Sequence, residues 1–170
     1  VDLGGNIYCY GKKEDGNLWT VGIKNPEEPS GEPLLKLRTE ETSVVTSGIY
    51  ERFLERNGKQ YHHIFDPETG YPAHNELASV TVICKVSTAA DALSTTFFVL
   101  GQEKSLIKIP LFEKLFGMDI DVVFIHKDGS VFATKNLEGK LSLYSAADNR
   151  KITYLSKVLE TSAYDEGNVK

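Results

Sequence analysis

A chain of 170 residues, 41% hydrophobic and 25% charged, is long enough for one compact domain with its own core. Its net charge of -5, with Lys and Arg scattered rather than gathered into a stripe, argues against nucleic acid as a partner. No run approaches the roughly 18 apolar residues of a membrane span, and no basic-plus-apolar leader occurs within these residues.

Val1 to Tyr10 is apolar and interrupted by Gly4-Gly5, and Leu18 to Ile23 follows the turn residues Asp15-Gly16. Asp-Gly between two apolar runs predicts that these segments pair as a hairpin. Asn25 to Pro33 reads as a surface loop, and Leu34 to Leu37 and Ser43 to Thr46 as short strands, with Ser47-Gly48 breaking the pattern. Asn57-Gly58 predicts a turn into Gln60 to Phe65, followed by the turn-forming run Asp66 to Pro72. Leu77 to Cys84 alternates as a strand, with Ala78, Val80, Val82 and Cys84 on one face.

From Ser87 to Leu100 the period becomes helical, and Gly101 supplies the stop. A shorter helix over Glu103 to Ile109 is expected to end at Pro110. Asp121 to Ile125 and Ser130 to Thr134 form a hairpin across Lys127-Asp128-Gly129, and the tail 166–170 is polar. Strands, then helices, then strands indicate an α+β fold, an antiparallel sheet with packed helices. Cys9 and Cys84 lie in apolar runs without zinc spacing and read as buried thiols.

Three constellations could carry chemistry. His62-His63 ends a strand before a rigid Asp-Pro turn, where a neutral imidazole can take a proton from a hydroxyl. A structural account also suffices: the two rings point to opposite sides, one solvated and one bonded in the core. On a helix, Asp91, Ser94 and Thr95 share one face as a hard-oxygen set suited to Mg²⁺. Thr88 and Asp91 equally match a capping box, and Ser94 and Thr95 can back-bond to the helix. Gly4-Gly5 allows close approach of a ligand or a bulge, and Thr46-Ser47-Gly48 reads as a phosphate contact or a plain turn.

In their order these blocks resemble one family. They are Val-Asp-Leu-Gly-Gly-Asn at 1–6, Trp-Thr-Val-Gly-Ile-x-x-Pro at 19–26 and Thr-Ser-Gly-x-Tyr-Glu-Arg at 46–52. His-Ile-x-Asp-Pro-x-Thr-Gly-x-Pro at 63–72, Ser-Val-Thr-Val at 79–82, Ala-Asp-Ala-Leu-Ser-Thr at 90–95 and Val-Leu-Gly at 99–101 follow. The set is similar to the ApbE family, the FAD:protein FMN transferases, and covers about the first hundred residues well.

The resemblance implies a T-fold-like domain that binds FAD, cleaves its pyrophosphate with Mg²⁺ and joins FMN to a Thr or Ser of an acceptor flavoprotein, releasing AMP. It implies Asp91 and Thr95 as metal ligands, Ser94 as a further one, and His63 as the base. Ile64, Phe65 and Ser47 are then FAD contacts. Family members carry more residues before the Gly-Gly block, so 1–165 is expected to be the C-terminal part of such a domain, with part of the FAD site. By the same resemblance an extracytoplasmic location is expected, with any signal or lipid anchor upstream of Val1. Two alternatives remain open at this point: an FAD pyrophosphatase giving FMN and AMP, and a non-catalytic flavin-binding module.

Overall fold

The computed structural model of the chain describes residues 1–158. In chain order they form β1 (Asn6–Cys9), β2 (Trp19–Ile23), β3 (Leu35–Thr39), β4 (Thr42–Gly48), β5 (Phe53–Arg56), β6 (Lys59–His62) and β7 (Leu77–Cys84). Helices α1 (Ser87–Leu100) and α2 (Gln102–Phe116) follow, then β8 (Asp121–His126), β9 (Val131–Thr134), β10 (Leu141–Leu143) and β11 (Ile152–Leu155). The expected α+β class is what these elements build. Among the described residues no helix is long and apolar enough to cross a membrane. The polar tail 166–170 lies outside the described residues.

β7 organises the packing, since every one of its residues is buried. It pairs antiparallel with β4 and β8 inside a six-stranded sheet of order β1-β4-β7-β8-β9-β11. The sheet is antiparallel except at one end, where β11 runs parallel to β9. One face, through Val45, Val80, Val82, Val122 and Phe124, packs on Leu93, Phe97 and Phe98 of α1 and Ile109 of α2. The other face, through Val44, Ile83, Val123 and Ile125, meets the three-stranded sheet β10-β3-β2. The result is three layers, with helices, large sheet and small sheet in that order. β5 and β6 form a separate two-stranded sheet.

Several expectations need correcting. β1 and β2 are not a hairpin: β1 pairs with β4 and β2 with β3, in different sheets. The Asp15-Gly16 turn does form, with the Asp15 carboxylate accepting from the Asn17 backbone N–H at 2.9 Å, yet it passes the chain from one sheet to the other. Cys9, Val21 and Ile23 are then buried in the same core from opposite walls, a packing that local turn chemistry does not reveal. β4 continues through Ser47 and Gly48, whose partners on β7 are Val80 and Ser79. A register shift between Leu77 and Ser79 puts Leu77, rather than Ala78, into the core with Val80 and Val82.

The second helix runs past Pro110 to Phe116. Proline removes the N–H that would bond the Leu106 carbonyl, which is a main reason it breaks helices. Here Val158 N–H donates to that carbonyl at 3.1 Å, so the group is satisfied from a distant segment. By contrast α1 ends at Gly101 as expected, with φ 77° and its N–H donating to Phe97 O at 3.1 Å. Both cysteines are free and buried, and burial pushes their thiols up.

Phe97 is fully buried and meets Phe112 edge-on, with centroids 5.8 Å apart. Phe97→Ala is expected to lower unfolding free energy by about 3–5 kcal/mol, read from urea denaturation midpoints. A loss below about 1 kcal/mol would mean that α1 is not held by this core.

Candidate active site

The diglycine before β1 forms the first wall of a cleft. Gly4 and Gly5 sit at φ 75° and 97°, where other residues are strained, and Asp2 Oδ1 accepts from both of their N–H groups at 2.9 and 3.4 Å. A Cβ at Gly5 would stand 3.3 Å from a Glu51 carboxylate oxygen, so glycine permits that close approach. Asn6 Oδ1 accepts from Ser87 Oγ at 2.7 Å, which ties this wall to the start of α1. Together with Ser47, Glu51, Arg52, His63, Asp91 and Thr95, these residues enclose about 400 Å³. A larger cleft of about 570 Å³, lined by Glu40, Lys85, Glu113 and Asp121 among others, contains none of the candidate catalytic, metal or FAD-contact residues.

The two histidines take opposite roles. His62 is buried, with its ring edge-on to Phe98 at 5.7 Å and Nε2–H donating to Ala73 O at 3.2 Å. Among the described residues its Nδ1 has no partner. Desolvation is the main reason its pKa is pushed below the ordinary histidine value. His63, one residue on, is exposed and lines the cleft. Its Nδ1 lies 3.1 Å from Arg52 O. A carbonyl only accepts, so Nδ1 carries the hydrogen, and in the neutral ring Nε2 is left as the proton acceptor.

On α1 the oxygen groups divide between cleft and core. The helix begins at Ser87 with no side-chain cap, so Asp91 stands in the second turn and the Thr88–Asp91 capping box does not form. Among the described residues the Asp91 carboxylate has no hydrogen bond or ion pair, and it faces the cleft beside Thr95. Ser94 is fully buried and off the cleft wall; its Oγ donates to Asp91 O at 2.9 Å and is 2.8 Å from Ser47 Oγ. Ser47 Oγ also lies 3.1 Å from Thr95 Oγ1, so three hydroxyls link β4 to α1. Ile64 is buried in the core, while Phe65 is exposed beyond the cleft, bridged to Pro72. The cleft thus gathers His63, Ser47, Asp91 and Thr95, but not the side chains of Ser94, Ile64 or Phe65.

An unpartnered carboxylate beside hydroxyls suits a hard cation that keeps part of its water, as Mg²⁺ does. Among the described residues no group of three or more His, Cys, Asp or Glu is gathered to hold a metal ion, so on this chain the candidate metal set at the cleft is one carboxylate, Asp91, and its neighbouring hydroxyls. Glu51 and Arg52 are cleft residues to which sequence reasoning gave no role. Their signal was available, because they follow the Thr-Ser-Gly end of β4 after two intervening residues and stand immediately before a hairpin that returns at His63.

A family model described as the ApbE family matches residues 1–112, which include every residue of this cleft. The chain belongs to the ApbE family. A Treponema pallidum (strain Nichols) relative named FAD:protein FMN transferase is 42% identical over 155 residues, covering 86% of this chain and 41% of the relative. One of the same name from Klebsiella pneumoniae (strain 342) is 40% identical over 131 residues, covering 77% and 38%. The crystal structure of the ApbE protein from Thermotoga maritima is 31% identical with TM-score 0.70, covering 82% of this chain and 43% of that one. The apo Pseudomonas stutzeri flavinyl transferase ApbE is 32% identical with TM-score 0.56, covering 82% and 42%. The chain therefore spans less than half the length of these ApbE relatives.

Burying His62 neutral has a pH consequence in this ApbE-family fold. Its folded pKa lies below the unfolded value, so the unfolded chain binds the proton more readily. Stability is expected to be full above about pH 6.5, the unfolded value, and to fall as pH drops below it. Denaturation at pH 7.5, 6 and 5 should show that slope, and His62→Leu should flatten it even though it lowers stability overall. An unchanged slope in the variant would assign the pH dependence to other groups.

Proposed function

We propose that this chain supplies the base and metal side of a Mg²⁺-dependent FAD:protein FMN transferase. The observation that carries the reading is one cleft holding both a histidine with a free Nε2 and an unpartnered carboxylate on α1. The names of the relatives support the same chemistry.

The pyrophosphate of FAD enters the cleft, where Gly4 and Gly5 leave room for close approach and Arg52 offers positive charge. Asp91 and Thr95 would hold a Mg²⁺, which would supply charge neutralisation on the phosphates. Ser94 acts from behind, by holding Ser47 against α1. The acceptor's Thr or Ser oxygen attacks the phosphorus of the FMN half, and its proton passes to His63 Nε2. The bond from that phosphorus to the bridging oxygen breaks, and AMP leaves with the electron pair. Throughout, His63 Nδ1–H keeps its bond to Arg52 O, so the ring is held in place with Nε2 toward the cleft.

Two tests follow from this division of roles, both on the full-length gene product with FAD, Mg²⁺ and a carrier protein bearing an Asp-Gly-x-(Ser/Thr)-Gly-Ala-(Ser/Thr)-like tag, the acceptor motif that the family resemblance implies. Wild type should add the mass of one FMN unit to the carrier, and His63→Ala should slow this about 10²–10⁴-fold while retaining FAD binding. No mass gain with wild type, or an undiminished rate with His63→Ala, defeats the assignment. AMP formed equally well without carrier would instead identify an FAD pyrophosphatase. Asp91→Asn should raise the Mg²⁺ concentration needed for half-maximal rate by about tenfold or more. Because Asp91 caps nothing, its melting temperature should stay near wild type, and an unaltered Mg²⁺ requirement would remove Asp91 from the metal site.

A further inference from the structure

The β5–β6 hairpin forms a two-stranded sheet of its own, with Phe53 opposite His62, Leu54 opposite Tyr61 and Arg56 opposite Lys59. Arg52 O accepts from His63 N–H at 3.1 Å, which extends the ladder by one pair toward the cleft. Side chains alternate across a strand, and His62 is turned into the core against Phe98. The opposite face therefore carries His63 and Tyr61 from one strand and Arg52, Leu54 and Arg56 from the other. At its cleft end, His63 and Arg52 line the reactive pocket. Beyond them Leu54 is 66% and Tyr61 40% exposed, an apolar pair standing in solvent. Two residues along a strand advance it by about 6.6 Å, so this pair lies one step from the base and Arg56 two steps. Arg52 and Arg56 form no ion pair among the described residues.

Nothing within the described chain uses this apolar and cationic stripe, and it begins at the proton acceptor. We propose that this face of the hairpin docks the acceptor polypeptide, as an extended segment with an apolar and an acidic side chain within a few residues of the hydroxyl that is modified. An extended segment shares the two-residue repeat of the stripe, so its hydroxyl can reach His63 while its neighbours meet Leu54–Tyr61 and the Arg56 guanidinium, Arg52 being turned to the pyrophosphate in the cleft. The inference rests on the transferase reading above and adds to it where the second substrate is recognised. Electrostatic complementarity here sets partner choice and register more than chemistry.

The test uses the full-length gene product with the same tagged carrier. The Leu54→Glu/Arg56→Glu double variant is expected to need about tenfold or more carrier for half-maximal transfer, with FAD affinity and the rate at saturating carrier within about twofold of wild type. For Arg56→Glu alone, a carrier whose tag has Lys in place of Asp should recover most of the loss, a result no folding defect would give. Tyr61→Asn deletes the apolar contact independently and should act in the same direction. Wild-type-like carrier dependence in the double variant overturns the docking face while leaving the transferase standing. Weakened FAD binding with unaltered carrier dependence would assign the face to FAD and overturn the inference too. No transfer by the wild type would overturn the transferase reading itself, and the docking face with it.

Discussion

The placement of α1 across β4 and β7 is the constraint on which the cleft depends. Ala90, Leu93, Phe97 and Phe98 are buried along one stripe of the helix, and each large side chain contributes roughly 1.5–3 kcal/mol of burial. The stripe fixes the helix's rotation, and the rotation decides which oxygens face the cleft. Ser94 belongs to the buried side and is joined to Ser47, so the helix cannot roll without breaking that bond. Asp91 and Thr95, one turn apart, are left on the open flank. Site geometry is thus a by-product of core packing, and it needs no dense polar scaffold of its own.

Adjacent histidines show how the same backbone makes a structural group and a chemical one. Strand alternation sends His62 inward and His63 outward, so one ring is buried and the other exposed. The inward ring donates to Ala73 O and is kept neutral by desolvation. The outward ring uses its N–H on Arg52 O and keeps a free nitrogen at the cleft. The β5–β6 hairpin supplies both Arg52 and His63, so the base is oriented by its own strand partner. Asn57 and Gly58, at φ 52° and 69°, make the two-residue turn that sets this register.

What was legible in the sequence follows from how local each signal is. The limits of α1 were readable because the apolar period and Gly101 are properties of one stretch. The hairpin around Asn57-Gly58 was readable for the same reason. The end of α2 was misread because the partner that satisfies Leu106 O is Val158, far along the chain. The pairing of β1 with β4 was hidden likewise, since Asp15-Gly16 announces a turn and does not say between which sheets. At the site, residue types and spacing placed Asp91 and Thr95 on one helical face, whereas Ser94 shares that face by spacing and is withdrawn by packing. The capping-box alternative failed on one fact that spacing leaves open, namely that the helix already starts at Ser87.

The charges around the cleft bear on how an anionic substrate would be received there. Among the described residues Asp91, the Arg52 guanidinium and the Nε2 of His63 have no partner, and being exposed they bear little desolvation cost while they wait. Tyr50, beside Glu51, is the contrasting case: burial and the neighbouring carboxylate push its phenol up to about 12, so it stays neutral. A pyrophosphate entering the cleft meets the guanidinium of Arg52 but also the carboxylates of Asp91 and Glu51. With two like charges against one opposite, these walls alone would give little net attraction at short range. A divalent cation on Asp91 reverses the sign on that side and leaves Arg52 to act from the other. In the proposed reaction, then, the requirement for Mg²⁺ follows from the charge balance of the cleft, and not only from the residue types that would hold it.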